Sequence, residues 1–316
     1  MMKRLLAGLI AGLGLAAVCV MPAAAEYPER PVQFIVPFPP GDLEDVLTRL
    51  IAEEMQSQTG TAAAVVNKPG GGAGPFPGAA EVARADADGH TVGSFVIGVP
   101  TVGPLLGIQG FNRETFEPVG IFLTYPFVLV AAGDAPYSNM AELADYAKSN
   151  KVALGHFGYG LVPTRASVIA GMELGFEFGS EAAFDALDCN TLASGDADVI
   201  NTTIQLVLPC LDQVKVLASI TEQRIALLPD VPTLGEQVEG VDIALWNGLF
   251  VPKGTPQAVK DKLAAVASAV VAGEKAKQIA ADTGALIHWQ GQDEAAARLD
   301  ADYGKVEDMF KRMGDL

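Results

Sequence analysis

The stretch "VQFIVPFPPGDLEDVL" (32–47) sets the main constraint on the fold. An apolar run from Val32 to Phe38 reads as a buried strand. It passes through Pro39-Pro40-Gly41 into a segment whose apolar positions, Val46, Leu47, Leu50, Ile51 and Met55, recur at helical spacing up to Gly60. Strand, tight turn and helix in that order open a βα unit, and chains built from such units fold as α/β. The order repeats. "AAAVVN" (62–67) reads as a second strand, followed by the loop "KPGGGAGPFPG" and a short helix "AAEVARAD"; "HTVGSFVIG" (90–98) reads as a third strand. "FVLVAAG" (127–133) predicts a strand with a helix near 138–149. "KVALGHFGYG" (151–160) predicts a strand, a glycine-rich turn and a following helix. "ADVINTTI" and "VKVLASI" are further short strands, and from Pro256 the pattern is helical, broken near "GALIHWQG".

No internal repeat, low-complexity tract or long linker separates these pieces. A chain of 316 residues is too long for one comfortable core, so two α/β lobes joined by crossing strands are expected. Glycine-rich turns lead from strand ends into helices at 37–42, 67–78 and 155–160. Ligands of open α/β sheets sit outside the carboxyl ends of strands, where such turns gather. Turns from two lobes facing one another would form a cleft.

The first 25 residues have the pattern of a secretory signal: Lys3 and Arg4, an apolar run from Leu5 to Val20, and Ala23-Ala24-Ala25 as a cleavage site after Ala25. Cys19 invites a lipoprotein reading, but Val18 stands where a small residue would precede a lipidated cysteine. The expected protein is therefore exported, with the periplasm as its compartment. The formal charge of −17 becomes more negative once Lys3 and Arg4 are removed, which argues against nucleic acid and anionic membranes as partners. A small anionic ligand stays open, because helix N-termini act locally while bulk charge is screened within about 10 Å. Cys189 and Cys210 survive processing. They are either two buried thiols or one disulfide closing a loop of about 20 residues, worth roughly 3 kcal/mol. "GGGAGPFPG" fails as a phosphate loop, since Pro75 and Pro77 stand at third-glycine positions and no Gly-Lys-Ser/Thr follows; a cleft rim or lobe contact suits it better. No metal and no cofactor are expected.

Six stretches, spread over nearly the whole exported part, carry a family likeness. "YPERPVQFIVPFPPG" with Asp45, "VVNKPGGGAG", "DGHT", "SGDADV", and the late pair "LPDVPTLGE" and "WNGLFVPKGTP" stand in the same order as in the exported solute-binding proteins of tripartite tricarboxylate transporters, the Bug family. The sequence resembles that family. The resemblance implies a two-lobed periplasmic-binding-protein fold with two crossing strands as a hinge. Lobe 1 would hold residues 26–125 and 247–316, and lobe 2 residues 126–246. It further implies capture of a small organic acid between the lobes, closure, and delivery by a monomer to integral membrane permease subunits. Binding would rely on backbone amides and hydroxyls at helix starts rather than on catalysis.

Carried over residue by residue, the first binding loop falls on Phe38, Pro39, Pro40, Gly41 and Asp42, with Asp45 in the helix. A position after the third strand falls on Val96 or Ile97, next to Gly98. The second-lobe loop falls on His156, Phe157, Gly158, Tyr159 and Gly160, with Thr164 at a family histidine position. Asp198 lies in the "SGDADV" entry, and Asn201 and Thr202 follow it. The sequence departs from the family where a second glycine becomes Asp42, where small hydroxyl residues become Leu43 and Glu44, and near Glu181 to Phe184, where a "PY-[KR]-G" turn is absent.

Two readings of Asp42 and Asp45 stand side by side. They form a helix cap resembling a capping box, supported by the dipole, or Asp42 occupies the anion's place, so that the ligand is less negative or carries an amine. His156 and Tyr159 are either exposed loop residues or, with Phe157, a stacking surface with polar tips. Trp246 is hinge packing or a ligand contact; Asn201, Thr202 and Thr203 are a turn or side-chain donors. His90 has a structural place, and His288 suggests none. Beside the binding protein stand a ligand-loaded sensor docking on a signalling receptor and, further off, an exported hydrolase. The last is opposed by the absence of Gly-x-Ser-x-Gly and His-Glu-x-x-His motifs.

Overall fold

A computed structural model describes residues 27–70, 74–184 and 186–316; the expected signal segment lies outside them. The chain first lays down β1 (Val32–Val36), α1 (Leu43–Thr59), β2 (Ala63–Asn67), α2 (Phe76–Ala83), β3 (Thr91–Val96), α3 (Gly98–Leu105) and β4 (Phe116–Thr124). It then crosses and builds β5 (Phe127–Ala132), α4 (Met140–Ala147), β6 (Ala153–His156), α5 (Val162–Glu173), β7 (Ser180–Ala183), α6 (Cys189–Ala193), β8 (Val199–Thr203), α7 (Ile204–Val207), β9 (Val214–Ser219) and α8 (Leu234–Gln237). It returns as β10 (Trp246–Pro252), α9 (Gln257–Val271), α10 (Glu274–Thr283), β11 (Leu286–Gln290) and α11 (Gln292–Arg312).

Two sheets result, ordered β11-β4-β10-β3-β1-β2 and β7-β6-β8-β5-β9. In the first, β1 runs parallel to both β2 and β3, and its Val, Phe and Ile side chains are buried on both faces, as a sheet covered by helices requires. Returning strand β10 inserts antiparallel between β3 and β4, and all its residues are buried. In the second sheet β6 is parallel to β7 and β8, while β5 is antiparallel to β8 and β9. The fold is two-lobed α/β.

Only Tyr125 and Pro126 separate β4 from β5. Pro126 holds the residue before it in an extended conformation. At the return crossing, the Tyr125 N–H donates to the Leu245 carbonyl at 2.7 Å, and the Ile97 N–H donates to the Trp246 carbonyl at 3.0 Å. Trp246 is wholly buried, and its Nε1 donates to the buried Asp302 carboxylate at 2.7 Å, so it is core packing at the crossing. Helix α11 packs against β4 and α3 and reaches α5 of the second lobe. There Arg165 pairs with Asp315 and lays its guanidinium 4.1 Å from the Tyr159 ring centre and 4.7 Å from that of Phe310.

The structure has strands that the sequence reading did not give, β4, β7 and β11 among them. "GALIHWQG" is not merely a break between helices, since Leu286–Gln290 pairs with β4 as an edge strand. Strand β4 contains Pro118 and Gly120, residues that read as breakers. Pro118 lies opposite Phe250, where the β4–β10 register shifts. Gly120 is needed because a Cβ there would stand 2.4 Å from the Trp289 ring.

Cys189 and Cys210 are bonded, with Cα atoms 6.0 Å apart, which resolves the alternative left by the sequence. The bond ties the start of α6 to the turn after α7, beside an apolar cluster of Leu187, Ile204, Val207 and Ile225. Replacing both cysteines by alanine is expected to lower unfolding free energy by about 3 kcal/mol, measured as a shift of the urea midpoint under non-reducing conditions.

Candidate functional site

Strand β1 ends in the turn from Pro37 to Asp42. Gly41 has φ 103°, a left-handed conformation that strains any residue with a Cβ, so glycine is required there. Asp42 is the N-cap of α1 but its side chain makes no cap hydrogen bond, so the capping reading is corrected. Asp45 does the pinning instead. Its Oδ2 accepts the Gly41 N–H at 2.9 Å and Arg49 Nε at 2.9 Å; its Oδ1 accepts Arg49 Nη2 at 2.9 Å and Asn67 Nδ2 at 2.8 Å. Asn67 Nδ2 also donates to the Phe38 carbonyl at 3.1 Å. The turn is thus bolted to α1 and to the end of β2. Asp45 is 1% exposed with both oxygens engaged, so it shapes the loop and is withdrawn as a ligand contact. Burial pushes its pKa up, but the bonds from Arg49, Asn67 and Gly41 outweigh that and hold it below the ordinary value.

Pro39, Pro40, Gly41 and Asp42 remain exposed, and Phe38 is half-buried. Desolvation by the surrounding protein, together with the Asp45 charge, pushes the Asp42 carboxyl up. Under the turn lies a buried polar group that reading by family position missed. The Tyr125 hydroxyl lies 2.9 Å from Glu44 Oε2 and 3.4 Å from Asn247 Oδ1. Asn247 Nδ2 donates to Ser94 Oγ at 2.8 Å, and Ser94 Oγ lies 2.8 Å from Thr48 Oγ1. All five residues are buried. Glu44 was visible only as one of three acids in a first turn. Its signal was the tyrosine placed just before Pro126 at a crossing, which had to find a buried partner.

The second lobe presents the turn after β6. His156 ends that strand and is 3% exposed, so it is neither an exposed loop residue nor a rim side chain. Its Nε2 stands 3.6 Å from Glu181 Oε2, and burial pushes its pKa down. Phe157 and Gly158 are half-buried, Tyr159 and Gly160 exposed. Thr164 Oγ1 donates to the Gly158 carbonyl at 2.8 Å and so braces the turn. Asn201 Nδ2 donates to the Pro163 carbonyl at 2.7 Å, and Thr202 Oγ1 to the Leu187 carbonyl at 2.7 Å. These three side chains point their donors into the lobe and position loops. Asp198 stands apart: it precedes β8 and its Oδ2 accepts the Ala153 N–H at the start of β6, the other end of the sheet from the 157–160 turn. It is withdrawn from the site for that reason. Ile97 is buried, its N–H and carbonyl are engaged with Trp246 and Thr101, and Gly98 opens α3 beside it.

The two turns are linked side chain by side chain. From Glu44 in α1 the path runs through Tyr125 to the Phe127 ring, 6.1 Å from the Tyr125 ring, and on to the Phe157 ring at 6.4 Å, both edge-on. The first turn of α1 and the glycine-rich turn of the second lobe are thus joined through the crossing by a short run of side chains. Among the described residues there is no cluster of three metal-ligating side chains, and no helix is long and apolar enough to cross a membrane.

The bolt makes its own prediction. Asp45→Ala strands the Gly41 N–H, Asn67 and part of Arg49, and is expected to cost about 2–3 kcal/mol. Because the folded pKa of Asp45 is lowered, its contribution is present at neutral pH and fades as pH falls through that value. Urea denaturation at pH 7 and pH 3 checks both: the variant's deficit should be large at the first and shrink at the second.

Comparison with known proteins gives the family. The tripartite tricarboxylate transporter family receptor, TctC, matches residues 47–312. A UPF0065 protein of Agrobacterium vitis, from the TAR-I ttuE-ttuC' intergenic region, is 32% identical over 254 residues, covering 77% of this chain and 72% of its own. The solved structure of periplasmic binding protein BugD is 30% identical, with a TM-score of 0.76 over 91% of this chain and 99% of that one. MatC from Rhodopseudomonas palustris with bound malate is 26% identical, with a TM-score of 0.75 over 90% of this chain and 99% of that one. With its two sheets and the chain crossing between them, the chain belongs to the tripartite tricarboxylate transporter receptor family, whose members are solute-binding receptors.

Proposed function

We propose that this protein captures a small organic acid in a cleft between lobe 1 (26–125 and 247–316) and lobe 2 (126–246), closes on it, and hands it to the membrane subunits of a tripartite-tricarboxylate-type transporter. The observation that carries this is the run of contacts from Glu44 through Tyr125 and Phe127 to Phe157, which joins two backbone-rich turns across the crossing strands. Malate bound in the similar fold of MatC supports a carboxylate as the ligand class. Cleavage after Ala25 would release the chain to work as a monomer in the periplasm.

On this reading the ligand lies among Phe38, Pro39, Pro40, Gly41 and Asp42 on one side, Ile97 and Gly98 at the floor, and Phe157, Gly158, Tyr159 and Gly160 on the other. Helix α5 lacks a side-chain cap at Leu161; Pro163 has no N–H and the Arg165 N–H is bonded to the Leu161 carbonyl, so the N–H groups of Val162 and Thr164 are the ones left to meet an anion. The exposed Pro39, Pro40 and Tyr159 rings and the half-buried Phe38 and Phe157 suit an apolar or aromatic body. Capture works by closure: the closed state is favoured only by the contacts a ligand makes in it. No covalent step is needed.

Asp42 sets the charge limit. A ligand carboxylate about 4 Å from an ionised Asp42 would lose roughly 1 kcal/mol in water-like surroundings and about 4 kcal/mol at an effective dielectric of 20. The expected ligand is therefore a monocarboxylate, aromatic acid or amino acid rather than a dianion. Calorimetry of the exported form with malate, succinate, benzoate and glutamate tests this. One of the less anionic acids should bind at a single site, and Asp42→Gly should move the ranking toward the dianions by about ten- to a hundredfold. An unchanged ranking would remove Asp42 from the selectivity; binding of no carboxylate would remove the reading.

A further inference from the structure

From the hydrogen-bond geometry we infer that Glu44 is a neutral carboxylic acid beneath the cleft, and that its proton is what leaves the first turn of α1 open to an anionic ligand; this rests on the carboxylate reading above. The inference comes from counting protons along the buried chain. Thr48 Oγ1 has one proton and gives it to the Glu44 carbonyl at 2.5 Å. Ser94 must then give its proton to Thr48 Oγ1, and Asn247 Nδ2 fills the lone pair on Ser94. This leaves Asn247 Oδ1 in need of a donor, and the hydroxyl in reach is Tyr125, at 3.4 Å.

If Tyr125 donates to Asn247, its oxygen has to accept from Glu44 at 2.9 Å, which only the protonated acid can do. If Glu44 is ionised, Tyr125 must turn its proton to the carboxylate. Asn247 Oδ1 then loses that donor in a site where nothing is more than 7% exposed. The protonated arrangement satisfies every member of the chain.

The surroundings agree. Asp42 and Asp45 face Glu44 from its own helix and Tyr125 from the crossing, while β3 and β10 contribute the uncharged Ser94 and Asn247. Arg49 is turned away into Asp45, and among the described residues no basic side chain lies within ion-pair distance of Glu44. Burial first, then the Asp42 charge, pushes the Glu44 carboxyl up to about 8. A neutral Glu44 leaves an arriving carboxylate one acid to avoid, Asp42; an ionised one adds a second within the same helical turn. An anion bound there raises the Glu44 pKa further, so capture above its free value takes up one proton and weakens up to about tenfold per pH unit.

The test uses malate and benzoate as calorimetric probes from pH 6.5 to 9.5, in buffers of differing ionisation heat, together with infrared spectra of the free protein. Wild type should show a protonated-carboxyl carbonyl band at pH 7 that titrates near pH 8, a dissociation constant flat below that point and rising above it, and uptake of one proton on the rising limb. Glu44→Gln, whose amide can still donate to Tyr125, should lose both the band and the slope. A wild-type protein without the band, or with an affinity flat across pH 8, overturns the inference, as does a variant that keeps the slope. Should none of malate, succinate, benzoate and glutamate bind wild type, carboxylate capture is what fails. The band in unliganded wild type then still upholds or overturns the neutral acid, and it does so even if the variant does not fold.

Discussion

The bond from the Tyr125 N–H to the Leu245 carbonyl is where this structure is held together and where it must bend. It pairs the outgoing and returning chains where they cross between the two sheets. The same residue turns its hydroxyl into the first lobe and its ring toward Phe127 at the start of the second. A rotation of one lobe against the other would therefore act on a residue whose backbone, ring and hydroxyl are each engaged with a different part of the molecule. Hinge and binding turn are not separate devices here. Glu44 reads the hinge directly, because its partner is the hinge.

On the proposed reading a strongly acidic protein binds an anion, which poses a local electrostatic problem, and the partners around α1 suggest how this chain would meet it. The one cation at this turn, Arg49, is used up on Asp45, which is structural. On that reading, what remains for a ligand is backbone N–H and the Tyr159 hydroxyl, neutral donors both. Neutral donors bind carboxylates more weakly than guanidinium, but they carry no charge that must be desolvated when the lobes meet. Such a site suits a receptor that must also let go. The second lobe follows the same logic: Arg165 is buried under Tyr159 and Phe310 and spent on Asp315 at the end of α11, where it ties the lobes together instead of facing the cleft.

The parts of the fold legible in the sequence were those governed by local rules. The buried strand β1 is apolar but for Gln33, and the Pro-Pro-Gly turn after it announces its own helix. Strand β4 hid behind Pro118 and Gly120, whose reasons are tertiary: a register shift against β10, and a tryptophan ring from an edge strand lying where a Cβ would be. Strand β11 hid because half-exposed Leu, Ile, His, Trp and Gln make neither an apolar run nor a clean alternation. At the site, the loops could be located but the direction of each side chain could not. Asp45, Thr164, Asn201 and Thr202 all have the right chemistry for a ligand, and all turn it inward onto backbone. Polar residues near a binding loop are needed twice over, once for the guest and once to hold unpaired loop backbone. Sequence spacing does not distinguish these uses.

Position 44 shows why replacing a small residue in a binding turn need not simply block it. A glutamate at the second position of a helix ordinarily faces water and favours the dipole. Here Leu43 and Leu47 bury the flanks of α1, so the side chain at 44 is rotated beneath the turn toward the crossing. At that depth an ionised carboxylate would need a cation, and the one nearby has already been taken by Asp45. Tyrosine, asparagine, serine and threonine can together satisfy an acid only if it brings its own proton. The sequence of the turn thus fixes a charge state as well as a shape, and the charge state in turn restricts which anions the cleft can hold.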